Sequence, residues 1–132
     1  MEIMVEYFLI SDDFPMEVVY EKIGLKGEIE LQEEKTFKTL SYDSYLRPKS
    51  CSITYTTGYI NTINVEDTIE LIYNLLHPRE KQIIDSINQF DLQSKFCIVL
   101  NLTDNPCIYL PQKFIDMASR LQADIEFDTY IG

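Results

Sequence analysis

The chain predicts an α+β fold: a mixed, largely antiparallel sheet with helices packed on one face, closed by a C-terminal β-α-β unit. Three observations carry that expectation. Residues 95–102 (KFCIVLNL) form a near-unbroken apolar run, β-rich and too short for a buried helix. Residues 124–131 (DIEFDTYI) alternate strictly between polar and apolar, as a half-exposed strand does. Between them Asp104, Asn105 and Pro106 turn the chain, and Pro111 opens a helix. A helical crossover makes the flanking strands parallel if they share a sheet, with right-handed connection as the default. The remaining elements mix strands and helices without regular alternation, which favours helices segregated to one face.

Residues 3–10 read as the first strand, with Glu6 as its one acid. Ser11, Asp12 and Asp13 then supply capping acceptors, Pro15 suits the first helical position, and Glu17 lies in the first turn. That short helix turns Val18, Val19 and Ile23 inward and ends at Gly24. Residues 28–33 alternate as a half-exposed strand, residues 37–45 offer it a partner, and residues 52–60 are β-rich with Gly58 marking a bulge. Asn64 is expected to cap an amphipathic helix, with Asp67 three residues on. Its apolar stripe is Val65, Ile69, Ile72 and Leu76, flanked by Leu71 and Leu75. Pro78 breaks that helix after His77 and restarts a second segment with Ile83, Ile84, Ile87 and Phe90 inward. The helix from Pro111 is expected to bury Phe114, Ile115, Ala118 and Leu121. No repeat or linker divides the chain, so residues 1–132 read as a single domain.

Charge narrows the partner classes. The chain carries 22 acidic and 11 basic residues, a net charge of −11. Residues 1–66 hold 12 acids and 6 bases and residues 67–132 hold 10 and 5, so the excess is spread over the fold. Such a surface repels nucleic-acid phosphates and anionic lipid, and neither is an expected partner. It suits a basic protein. Cys51, Cys97 and Cys107 are odd in number and lack the C-x-x-C spacing of a zinc or redox site. Unpaired thiols, no basic leader and no apolar run of membrane-spanning length give a cytoplasmic expectation.

Covalent chemistry finds little support. A nucleophile needs a neighbouring base, and the one histidine, His77, stands before a proline at a helix junction and reads as a helix-end residue. No G-x-S-x-G, H-E-x-x-H, P-loop or G-x-G-x-x-G motif occurs. Neither a metal site nor a cofactor is expected, and no catalytic set is assigned. The most enzyme-like group is Asp124, Glu126 and Asp128, on one face of the last strand at about 6.6 Å per two-residue step. That spacing overlaps glycosidase carboxylate separations and the reach of a divalent cation. A solvated face or edge protection is the stronger reading. Nine tyrosines and no tryptophan add amphipathic anchors, of which Tyr42 and Tyr45, with Asp43 between them, are expected to be exposed.

Several of these features are similar to one bacterial family, the domain of unknown function 4279. The resemblance lies in Phe14 and Pro15 opening a short helix that ends at Ile23, Gly24 and Leu25. It extends through the leucine-rich helix around residues 71–76, the Pro106, Ile108 and Leu110 pattern, and the final strand with Asp128, Thr129 and Tyr130. Such domains usually place a tryptophan where this chain has residues 52–55, so Tyr55 would stand in for it. The resemblance implies no established reaction. Small acidic domains of this kind also resemble immunity proteins encoded beside bacterial toxins, which inhibit by binding.

The expectation is therefore a non-enzymatic protein-binding domain, an immunity-type inhibitor whose partner-binding residues are Tyr42, Asp43, Tyr45, Asp124, Glu126 and Asp128. The alternatives are a hydrolase or cation-binding protein using the acidic strand face, or a small-ligand-binding or self-associating domain that forms a homodimer.

Overall fold

The computed structural model describes the backbone of residues 1–11, 16–32 and 50–131, and the side chains of all of these except 16, 17, 28–32, 50 and 51. The first strand, β1 (Glu2–Ser11), is followed by α1 (Met16–Ile23), β2 (Glu28–Gln32), β3 (Ser50–Thr56) and the short β4 (Ile60–Asn61). Then come α2 (Val65–Leu76), a 3₁₀ turn (His77–Arg79), α3 (Glu80–Phe90), β5 (Gln93–Leu102), α4 (Gln112–Arg120) and β6 (Asp124–Ile131).

The sheet runs β2-β3-β1-β5-β6, with β4 pairing β1 beside β3. Every pairing is antiparallel except β5 with β6, which are parallel across the α4 crossover. This is the mixed, largely antiparallel sheet and closing β-α-β unit read from the sequence. β1 sits at the centre because both of its faces are usable. Ile3, Val5, Tyr7, Leu9 and Ser11 are buried, and the residues between them are half-exposed.

One apolar cluster joins the sheet to the helices. Ile3, Val5, Tyr7 and Leu9 of β1 and Phe96, Ile98 and Leu100 of β5 meet Val19 and Ile23 of α1, Ile69, Ile72 and Leu76 of α2, Ile83 of α3, and Phe114 and Met117 of α4. Phe96 is the hinge of that layer: its ring lies 4.6 Å from Tyr7 and 4.9 Å, edge-on, from Phe114. Edge-on contact sets a positive ring edge against a negative face, so it adds to the burial of both rings.

Five local expectations are corrected. Val18 is half-exposed while Val19 and Ile23 are buried, because an eight-residue helix has room for only one inward stripe. Ile115 is likewise exposed, and Met117 takes the inward place beside Phe114 and Ala118. Leu71 also points outward. Gly58 marks no bulge; it lies in the turn between β3 and β4 with φ of 67°, a left-handed conformation that glycine adopts without strain. Asn64 does precede α2, but its side chain makes no cap: Thr62 Oγ1 donates to Asp67 Oδ2 at 2.6 Å, and the Asn64 carbonyl accepts from the Asp67 N–H. The expected helix start around residues 12–15 and the strand over 37–45 lie outside the described residues.

Candidate functional site

The sheet face turned away from the helices is where charge gathers. Side chains alternate along a strand, so the register decides which residues share this face. Across β1, β5 and β6 three rows result: Met4, Val99 and Asp128; Glu6, Cys97 and Glu126; Phe8, Lys95 and Asp124. A fourth row holds Asn61, Glu2, Asn101 and Tyr130. All five acids of β1 and β6 fall on this face, and Lys95 is the one basic residue in any described strand.

Asp124, Glu126 and Asp128 therefore lie together on β6, as period-two alternation predicts. What the sequence did not reveal is their counter-charge. Lys95 Nζ reaches Glu126 Oε2 at 2.5 Å, diagonally across the parallel pair, with both groups at least a third exposed. This carboxylate holds the Lys95 ammonium above its ordinary range. Tyr130 donates its hydroxyl to Asp128 Oδ2 at 2.8 Å, which raises the phenol's pKa because the neighbouring carboxylate opposes a second negative charge. Burial, reinforced by Glu126 and Asp128, pushes the Cys97 thiol up, so it is a poor nucleophile.

The carboxylates spread along the strand and do not converge. Among the described residues no three His, Cys, Asp or Glu side chains come together in a way that would hold a metal ion. A cleft of about 310 Å³ does open at one end of this face, lined by Ile10, Ser94, Lys95, Gln122 and Asp124 among others. Ser94, one of its lining residues, shares a 2.6 Å hydrogen bond between its Oγ and the Tyr7 Oη, which orders two buried hydroxyls. Burial raises the Tyr7 pKa, so the phenol stays neutral.

Tyr42, Asp43 and Tyr45 lie outside the described residues. Tyr55, expected to replace a family tryptophan, is 1% exposed and belongs to the core. Its ring stacks on Tyr7 with centroids 6.5 Å apart.

On the helix side the structure assembles a polar chain that sequence reading missed. His77 Nδ1 lies 3.1 Å from Glu80 Oε2, and Arg120 of α4 reaches both Glu80 oxygens. The His77 ring stacks on Tyr73 at 4.9 Å, Lys113 sits 4.6 Å over that same Tyr73 ring, and Lys113 Nζ donates to Glu70 Oε2 at 2.9 Å. The i, i+3 spacing of His77 and Glu80 was a readable signal. The contribution of α4 was not, since it depends on tertiary docking. These contacts clip α4 to α2 and α3.

Comparison with known proteins adds one finding. A family model described as Domain of unknown function (DUF4279) matches residues 1–132. No curated protein and no solved structure matches the chain.

Proposed function

The chain belongs to the family described as domain of unknown function DUF4279, and from that premise we propose that it is a non-enzymatic, cytoplasmic protein-binding domain, an immunity-type inhibitor of a basic bacterial toxin. The observation that carries this reading is the acidic sheet face: five carboxylates on β1 and β6, with Lys95 as the one cation among the described strands. A net charge of −11 extends the same field over the molecule. Opposite potentials steer two proteins together and mainly raise the association rate. The carboxylates of β6 lie side by side along the strand, an arrangement suited to meeting a row of cations on a partner. Binding is the simpler use of such a face.

The test is biological and physical at once. The reading frame adjacent to this chain's gene is expected to encode a toxin domain rich in lysine and arginine. Co-expression of the present chain should restore growth of cells making that domain. Calorimetry on the purified pair should show a complex that weakens as salt rises. Growth that stays arrested, with no complex at low ionic strength, contradicts the proposal.

A further inference from the structure

β6 ends the sheet, and among the described residues its outer edge has no partner strand. An unpaired edge presents a row of N–H and C=O groups that template another strand, and natural edges are commonly blunted by charged side chains, lysine above all, by proline, by a bulge or by a covering segment. β6 has no lysine, proline or bulge, and its charges are all acidic, so they deter an acidic strand and not a basic one. Its eight residues pair with residues 95–102 of β5 without a skipped position, and they include no proline and no basic side chain. The helix-side residues leave apolar surface exposed as well, with Phe127 at 42% and Ile131 at 90%.

We propose that this edge captures an extended segment of a basic partner by strand addition, the segment carrying lysine or arginine at alternate positions and apolar residues between them. The proposal rests on the binding reading above and names its mode. Alternation in the added strand would set its cations beside Asp124, Glu126 and Asp128, while its apolar residues meet Ile125, Phe127 and Thr129. Backbone pairing supplies affinity in such complexes, and alternate side chains supply selectivity.

A second copy of the chain is the poorer occupant. Two β6 strands paired antiparallel about a two-fold axis through Glu126 set Asp124 against Asp128 and Glu126 against itself. Moving the axis by one residue keeps acids facing acids, because residues on one face stay on that face. Like charges directly opposite destabilise a pair. The three carboxylates thus act against self-association while leaving the edge available to cations.

The experiment uses the full chain and a defined probe: an end-blocked octapeptide alternating lysine and valine, with two variants N-methylated at every second peptide nitrogen in either phase. Affinity is read by calorimetry and the site by amide hydrogen exchange. The plain peptide should bind and slow exchange in β6, and the form with methyls facing β6 should bind roughly tenfold more weakly, since it loses its interstrand hydrogen bonds. The combined substitutions Asp124→Asn, Glu126→Gln and Asp128→Asn should weaken the plain peptide by a similar factor. Equal affinity for all three peptides, or protection away from β6, overturns strand addition while leaving an acidic binding face intact. Absence of binding by the plain peptide overturns it too. Failure of toxin rescue, by contrast, strikes the functional reading and not the edge.

Discussion

Tyr55 illustrates what single residues reveal and conceal. Its position in a β-rich run was readable, because tyrosine fits a pleated surface. The fate of its hydroxyl was not, because that depends on what packs around it. The ring is buried, and among the described residues the Tyr55 hydroxyl finds no hydrogen-bond partner. Gly27 owes its identity to the same ring: a Cβ there would lie 2.7 Å from Tyr55 carbons and 2.8 Å from the Thr54 carbonyl oxygen. A buried hydroxyl without a partner carries its desolvation cost uncompensated. Tyr55→Phe keeps the ring and removes that cost, so the variant should be more stable by about 1 kcal/mol. Thermal unfolding should show a melting temperature higher by about 3–5 °C. A lower melting temperature would reveal a hydroxyl partner among the remaining residues.

Elements were legible where one period sufficed. Alternation placed Asp124, Glu126 and Asp128 on one face of β6 before any fold was known, and the apolar run of β5 announced a central strand. Pairing was not legible, because the register of β5 against β6 is set by how α4 docks. Lys95 was therefore invisible as the partner of Glu126. Lys95→Ala should cost less than about 1 kcal/mol, as expected of an exposed ion pair. It should also strengthen the negative field of the face, so stopped-flow association with a basic partner should accelerate and depend more steeply on salt. A slower association would mean that Lys95 itself touches the partner.

The helix clip makes an independent prediction about pH. Arg120, with a smaller contribution from His77, holds the Glu80 carboxyl below its ordinary value of 4.5. A depressed folded-state pKa contributes stability that is fully present above the unfolded value and is lost as pH falls through the folded one. Glu80→Gln should then be less stable than the parent at neutral pH, with the gap closing as pH drops below about 4.5. Chemical denaturation at a series of pH values reads this directly. A gap that persists unchanged into acid would assign the loss to packing and not to charge.

At the scale of the whole molecule, two layers divide the work. The helix side is spent on the core, where Tyr7, Phe96 and Phe114 lock sheet to helices. The opposite face is left to charge. Composition alone announced the imbalance of 22 acids against 11 bases, and its even spread argued against an acidic tail. Composition did not say that both acid-bearing outer and central strands turn their carboxylates the same way. That follows from β1 being flanked by β3 and β5 in a register that aligns Glu6 with Cys97 and Glu126. The most direct test of the proposed recognition face is amide hydrogen exchange on the chain alone and bound to the basic partner proposed for it. Slowed exchange concentrated in β5 and β6 is the predicted result. Protection centred on α2, α3 and α4, with the sheet edge unchanged, would contradict it.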